Sequence, residues 1–225
     1  MSKERSLKQF EEDRQQAVKV AARLLLASGT TSPRVGGVGE CTTHILDDEC
    51  AIEDLCQAVE KMAGEKESWA FFKRDAAMLR DADAVLIVTS LRSLTDPSDI
   101  SCNMCGYMTC DYMRAVKKFD KGPGVAFTGP LCSFRATNIA YAIGGIVTQA
   151  RNLGIDHGIF WSAGAAAMRM GILPRDTGFA LAVGISVTEK SPFRDIPLRH
   201  SEINDKTMND RIIKRLWPQF RSIYS

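Results

Sequence analysis

Near the start of the chain the apolar residues Leu7, Phe10, Ala17, Val18, Ala21, Leu24 and Leu25 recur at intervals of three and four. That period marks one face of an α-helix and predicts one over residues 7–28, stopping at Gly29, with Arg14 the residue that interrupts the stripe. Residues 30–39 hold Pro33 and three glycines, which break a helical ladder and predict a loop where backbone can approach a neighbour closely. A strand is expected at 41–46 and helices at 49–62 and 68–80, the latter with Trp69, Phe72, Ala76 and Leu79 on one side. Residues 84–89 carry no polar face until their end, the pattern of a strand buried on both sides.

Further along, a helix is expected to start near Thr109 and end before Gly122, followed by a brief strand at 125–128. The most regular helical period lies at 134–153, where Ile139, Ile143, Ile146, Ala150 and Leu153 share a face. Gly144 and Gly145 sit inside it, each weakening the helix by about 1 kcal/mol, which points to close packing against a helix or a flat ligand. Strands at 158–162 and 179–187 flank a short Ala-rich helix at 164–170, and a last helix at 208–224 is interrupted by Pro218. Strands and helices alternate without the regular βαβ rhythm of a doubly wound sheet, so the expected fold is α+β. The chain, 1–225, reads as one domain with a cysteine-rich segment at about 96–135.

Composition narrows the function classes. Apolar residues at 45% and charged residues at 25% give the ordinary globular balance and exclude disordered and collagen-like classes. A formal charge of +2 is too mild for a nucleic-acid-binding face. No apolar run approaches the roughly 18 residues of a membrane span. The charged N-terminus lacks the apolar core of a secretory signal, so a soluble cytoplasmic protein is expected. Seven cysteines, an odd number, argue against a disulfide framework.

Three of the seven fall close together in Cys102-Asn-Met-Cys105-Gly-Tyr-Met-Thr-Cys110, and Cys132 follows in Gly129-Pro-Leu-Cys132. Iron–sulfur clusters are held by four thiolates, commonly three from one loop and one from farther along. Gly106, directly after the second cysteine, can take a positive φ and turn N–H groups toward sulfur. Five basic residues against two acidic ones between Asp111 and Arg135 would offset an anionic cluster. Structural zinc on four cysteines and a Cys-x-x-Cys redox site on Cys102 and Cys105 stay open as alternatives. Cys41, Cys50 and Cys56 are expected to be structural.

The Cys-x-x-Cys-Gly-x-x-x-Cys loop followed by Gly-Pro-x-Cys resembles the uncharacterised family of ferredoxin-domain-containing proteins. Residues 21–34, 75–88, 139–156, 163–173 and Val183-Gly-Ile-Ser186 are similar to other blocks of that family. The resemblance implies a [4Fe–4S] cluster on Cys102, Cys105, Cys110 and Cys132, and carries over no reaction. In the order of its loops, strands and helices the chain also looks like the nitroreductase fold. That likeness implies an α+β homodimer with FMN at the subunit interface. It would surround the flavin ring with the loop at 31–37, the Gly144-Gly145 helix and the turn Ser162-Ala163-Gly164, with Arg34 offering a guanidinium to a phosphate.

Other chemistry is thin. His44, His157 and His200 are spread singly, and the three tryptophans read as core or interface, with Trp161 the first to inspect if flavin binds. The leading expectation is an iron–sulfur oxidoreductase, with a flavin as two-electron partner and a small-molecule substrate. A non-catalytic electron carrier that docks to a redox partner protein is the second, and a zinc-stabilised scaffold the third. No nucleic-acid or membrane partner is expected, and no catalytic residue can be named.

Overall fold

The computed structural model describes residues 2–37, 41–91, 100–116, 123–127 and 129–194. Four antiparallel strands form one sheet in the order β1-β2-β4-β3: β1 is Cys41–Leu46, β2 is Ala84–Leu91, β3 is Asp156–Phe160 and β4 is Thr177–Ser186. Among the described residues every strand pair is antiparallel, as an α+β chain requires. Alternate residues of β2 serve two cores. Val85 and Ile87 face a layer made by α2 (Glu49–Ala63), α3 (Phe72–Arg80) and α6 (Trp161–Met170). Ala84, Leu86 and Val88 face α1 (Ser2–Thr31) and α5 (Ser133–Asn152). The continuous apolar run thus becomes a central strand, buried from Ala84 to Ser90.

Helix α1 does not stop at Gly29. Its Cβ-free surface lies against Ile146 of α5, and Thr30, Thr31 and Ser32 return their hydroxyls to carbonyls one turn back, which carries the helix to Thr31. The interrupting Arg14 also has a structural partner. It reaches Asp83, whose other oxygen accepts from Ser186 Oγ (3.0 Å) and the Val187 amide (2.8 Å), tying α1 to the ends of β2 and β4.

Three other expectations need correction. Residues 125–127 do not form a strand, because backbone groups on this stretch bond to side chains rather than to a ladder: Gly124 N–H donates to Glu65 and Val125 C=O accepts from Arg169. Helix α6 starts at Trp161, so Trp161 and Ser162, expected at the end of a strand, belong to its first turn, and β3 ends at Phe160. The helix expected at 68–80 is divided into a short 3-10 turn, Glu67–Trp69, and α3. The helix expected at 208–224 lies outside the described residues, as does the end of the one expected from Thr109; its described part is α4, Cys110–Ala115.

Small residues set the layer spacing. A Cβ on Gly164 would fall inside contact with the Ala180 carbonyl, so α6 rests backbone to backbone on β4. A Cβ on Gly145 would lie 2.9 Å from the Ser28 carbonyl of α1, whereas one on Gly144 meets nothing within 4 Å. Gly145→Ala should therefore cost on the order of 2 kcal/mol through overpacking, while Gly144→Ala should stabilise by about 1 kcal/mol through helix propensity. Thermal unfolding of the two variants checks this; equal midpoints would contradict the close α1–α5 approach.

Candidate functional site

The segment that leaves β2 and returns at α5 carries the four candidate thiols. Cys102 is exposed, and Cys105, Cys110 and Cys132 are half-buried. The loop around the first two turns through left-handed residues, Ser101 (φ 43°), Asn103 (φ 60°) and Gly106 (φ 83°), with the Gly106 amide closing a turn onto Asn103 C=O at 3.0 Å. Left-handed residues at these positions turn a short loop sharply, as a loop that wraps several ligands around one centre requires. Cys110 opens α4, whose N-cap Thr109 accepts from the Tyr112 amide. Cys132 is the N-cap of the twenty-residue helix α5, and its side chain makes no capping bond.

The two ends of the segment meet. Ser133 Oγ donates to the Met104 carbonyl at 3.0 Å, which places the N-cap of α5 beside the turn between Cys102 and Cys105. The four sulfurs are not drawn into one coordination sphere: among the described residues no group of three or more His, Cys, Asp or Glu side chains is gathered for a metal ion. In kind the donor set fits an iron–sulfur cluster: two thiols lie on the left-handed loop, one opens α4 and the fourth caps the adjoining α5. Met104, Met108 and Tyr112 are exposed around them (62%, 82% and 62%), interleaved with the exposed polar residues Asn103, Thr109 and Asp111.

The remaining cysteines differ among themselves. Cys56 is fully buried in the α2 layer, and burial pushes its thiol up to about 12, which makes it inert packing. Cys41, half-buried at the start of β1, is raised by burial against the opposing influence of Arg34 and Arg135. Cys50 is exposed on the first turn of α2, so the core role expected for it does not hold.

The six residues set aside for a flavin do not converge within one chain. Arg34 points its guanidinium at the end of α1, donating to the carbonyls of Ser32 (2.8 Å), Gly29 (3.2 Å), Thr30 and Pro33 (3.3 Å each), and so caps that helix. Gly144 and Gly145 lie on α5, on the same face of the sheet as α1. Ser162, Ala163 and Gly164 are buried in α6, on the opposite face. The sheet stands between the two groups.

Two features escaped the sequence reading. Ser162 Oγ donates to Asp75 Oδ2 at 2.5 Å beneath the aromatic cluster of Phe71, Phe72 and Trp161. Burial pushes Asp75 up to about 6, opposed by the Ser162 hydrogen bond and the charge of Arg74. Its position was a signal, since Phe72, Asp75, Ala76 and Leu79 share one helical stripe. The other is the ion pair of Glu65 with Arg169, 104 residues apart and invisible to spacing. His157 sits on β3 with Nδ1 3.1 Å from the Ile155 carbonyl, a satisfied histidine. Among the described residues no helix is long and apolar enough to cross a membrane.

Residues 128–195, from the approach to Cys132 through β4, match the family described as "Uncharacterized protein containing a ferredoxin domain (DUF2148)". An uncharacterized protein of Archaeoglobus fulgidus is 31% identical over 183 residues, covering 80% of this chain and 92% of its own. Among solved structures, nitroreductase A from Vibrio parahaemolyticus is similar with a TM-score of 0.47 at 13% identity, over 92% of this chain and 81% of that one. An FMN-dependent nitroreductase from Clostridium difficile R20291 is similar with a TM-score of 0.44 at 15% identity, over 83% and 86% respectively.

The raised Asp75 makes a pH prediction. Its folded pKa near 6 lies above the unfolded value of about 3.9, so ionisation is harder in the folded protein and stability is lost as pH rises through that window. Asp75→Asn keeps an acceptor for Ser162 and removes the charge. Denaturant unfolding should show wild type losing on the order of 2 kcal/mol between pH 4 and 7 relative to the variant; parallel pH profiles would contradict the assignment.

Proposed function

Because the chain belongs to the family of uncharacterized proteins containing a ferredoxin domain, we propose that it is a redox protein carrying a [4Fe–4S] cluster on Cys102, Cys105, Cys110 and Cys132. The observation that carries this reading is the Ser133–Met104 hydrogen bond, which joins the N-cap cysteine of α5 to the turn between Cys102 and Cys105. Such a cluster, when bound, exchanges single electrons.

The chain's own residues do the rest. The left-handed residues Ser101, Asn103 and Gly106 turn the loop sharply around Cys102 and Cys105, and amides on this turn that donate to sulfur would stabilise the reduced, more negative form of a cluster held there. The start of α5 presents the amides of Ser133 and Phe134 beside Cys132, while those of Arg135 and Ala136 bond to the Cys132 carbonyl. Arg135, buried one turn into α5 and donating to the Leu91 carbonyl at 3.1 Å, contributes a fixed positive charge behind that site. The exposed Met104, Met108 and Tyr112 leave the segment open to a docking redox protein, so delivery of electrons to a partner is the function this geometry favours over a sealed catalytic pocket.

An oxidoreductase needs a two-electron partner as well, and FMN is the proposed one. With Arg34, Gly144 and Gly145 on one face of the sheet and Ser162, Ala163 and Gly164 on the other, a flavin site in this protein has to be completed by a second copy of the chain. FMN binding on this reading therefore requires the homodimer.

Anaerobically purified wild type should hold about four iron and four sulfide per chain. Cys132→Ala and Cys105→Ala should each lose most of this iron while remaining folded by circular dichroism, and Cys50→Ala should leave it unchanged. Full iron and sulfide in Cys132→Ala, or zinc in place of iron in wild type, would overturn the assignment.

A further inference from the structure

The approach to Cys132 is held by an ion pair that belongs to neither the cysteine loop nor α5. Glu65, just past the end of α2, and Arg169, on α6, meet at 2.5 Å with side chains 18% and 16% exposed. Each partner also grips the same stretch of backbone. Glu65 Oε2 accepts from the Gly124 amide at 2.7 Å, and Arg169 Nη2 donates to the Val125 carbonyl at 2.6 Å. The hydrogen bond from Arg169 holds the Glu65 carboxyl below the usual range, with the Gly124 amide acting in the same direction. Lys66 and Arg169 both lie over the Trp69 ring, at 4.9 and 5.7 Å.

The gripped backbone fits the clamp closely. Gly124 has φ 77°, and a Cβ there would stand 2.6 Å from Lys66 Cε. Two residues beyond Val125, Phe127 packs against Phe179 (4.7 Å) and Trp161 (5.8 Å). From that anchor only a few residues lead to Cys132, which the Ser133–Met104 bond secures from the other side.

We infer that Glu65 and Arg169 form a positioning pair that fixes the chain leading to Cys132, and so sets how firmly the fourth thiolate meets the cluster. The inference rests on the cluster reading above. Charge-assisted hydrogen bonds at both ends of one strap suit this task, because they define the strap's direction as well as its place. Neither residue touches a candidate ligand; both act through residues 124 and 125.

The test compares full-length wild type with Glu65→Gln, Arg169→Met and Gly124→Ala, the last leaving both charged partners intact. Variants that stay folded by circular dichroism should lose part of their iron. They should also show, as oxidised protein, the electron paramagnetic resonance signal of a three-iron cluster that has lost its fourth ligand. Arg169→Lys, which keeps the charge, should restore part of the iron. In metal-free protein, alkylation of Cys132 gives a readout that needs no cluster: Glu65→Gln and Arg169→Met should accelerate it about tenfold, the factor for losing one charge-assisted hydrogen bond, with Cys50 unchanged. Full iron, an unaltered signal and unchanged Cys132 alkylation in all three variants would overturn the clamp alone. Wild type that takes up no iron would overturn the cluster reading and the clamp's role toward it, whatever the alkylation rates.

Discussion

Strand β2 has no solvent on either face from Ala84 to Ser90, so the chain must supply two apolar layers at once. Everything else in the fold answers that requirement. Val85 and Ile87 need α2, α3 and α6, whereas Leu86 and Val88 need α1 and α5. The helices can come close enough only where Cβ atoms are missing, at Gly164 over β4 and at Gly145 and Gly29 between α5 and α1. A central antiparallel strand with β1 on one side and β4 on the other also fixes where the chain must exit. That exit, past Leu91, leads to the cysteine segment.

The proposed site is accordingly a surface feature built on a rigid base. Helix α5 is locked into the α1 layer along Ile139, Ala142 and Ile146, and its first turn therefore holds Cys132 at a fixed place. The other three cysteines sit on backbone turned by left-handed residues and on the short helix α4, with the Ser133 hydroxyl bonding to the Met104 carbonyl between Cys102 and Cys105. The opposite layer contributes through Glu65 and Arg169, which reach across to the strap at residues 124 and 125. Both sides of the sheet thus converge on the approach to one thiol.

Much of the architecture could be read from periodicity, because the residues that set it are numerous and local. The buried strand, α2, α5 and the α+β class were all predictable from where apolar side chains recur. What escaped were features decided by single long-range contacts. Nothing in residues 125–127 announces that an arginine from α6 will take the backbone carbonyl a strand would have used. Gly29 reads as a helix stop until Ile146 is seen filling the space of its missing side chain. The cysteine pattern was visible in the sequence, since ligand spacing is itself a local property. The flavin set rested on likeness of order along the chain, and such likeness does not reveal that Gly145 and Ser162 belong to helices on opposite faces of the sheet.

The most direct test of the cluster reading is the visible spectrum of the anaerobically isolated protein before and after chemical reduction, with electron paramagnetic resonance on the reduced sample. A broad visible shoulder that bleaches on reduction, together with a low-temperature signal from a reduced four-iron cluster, is the predicted result. A colourless protein, silent in both states and holding zinc, would contradict it.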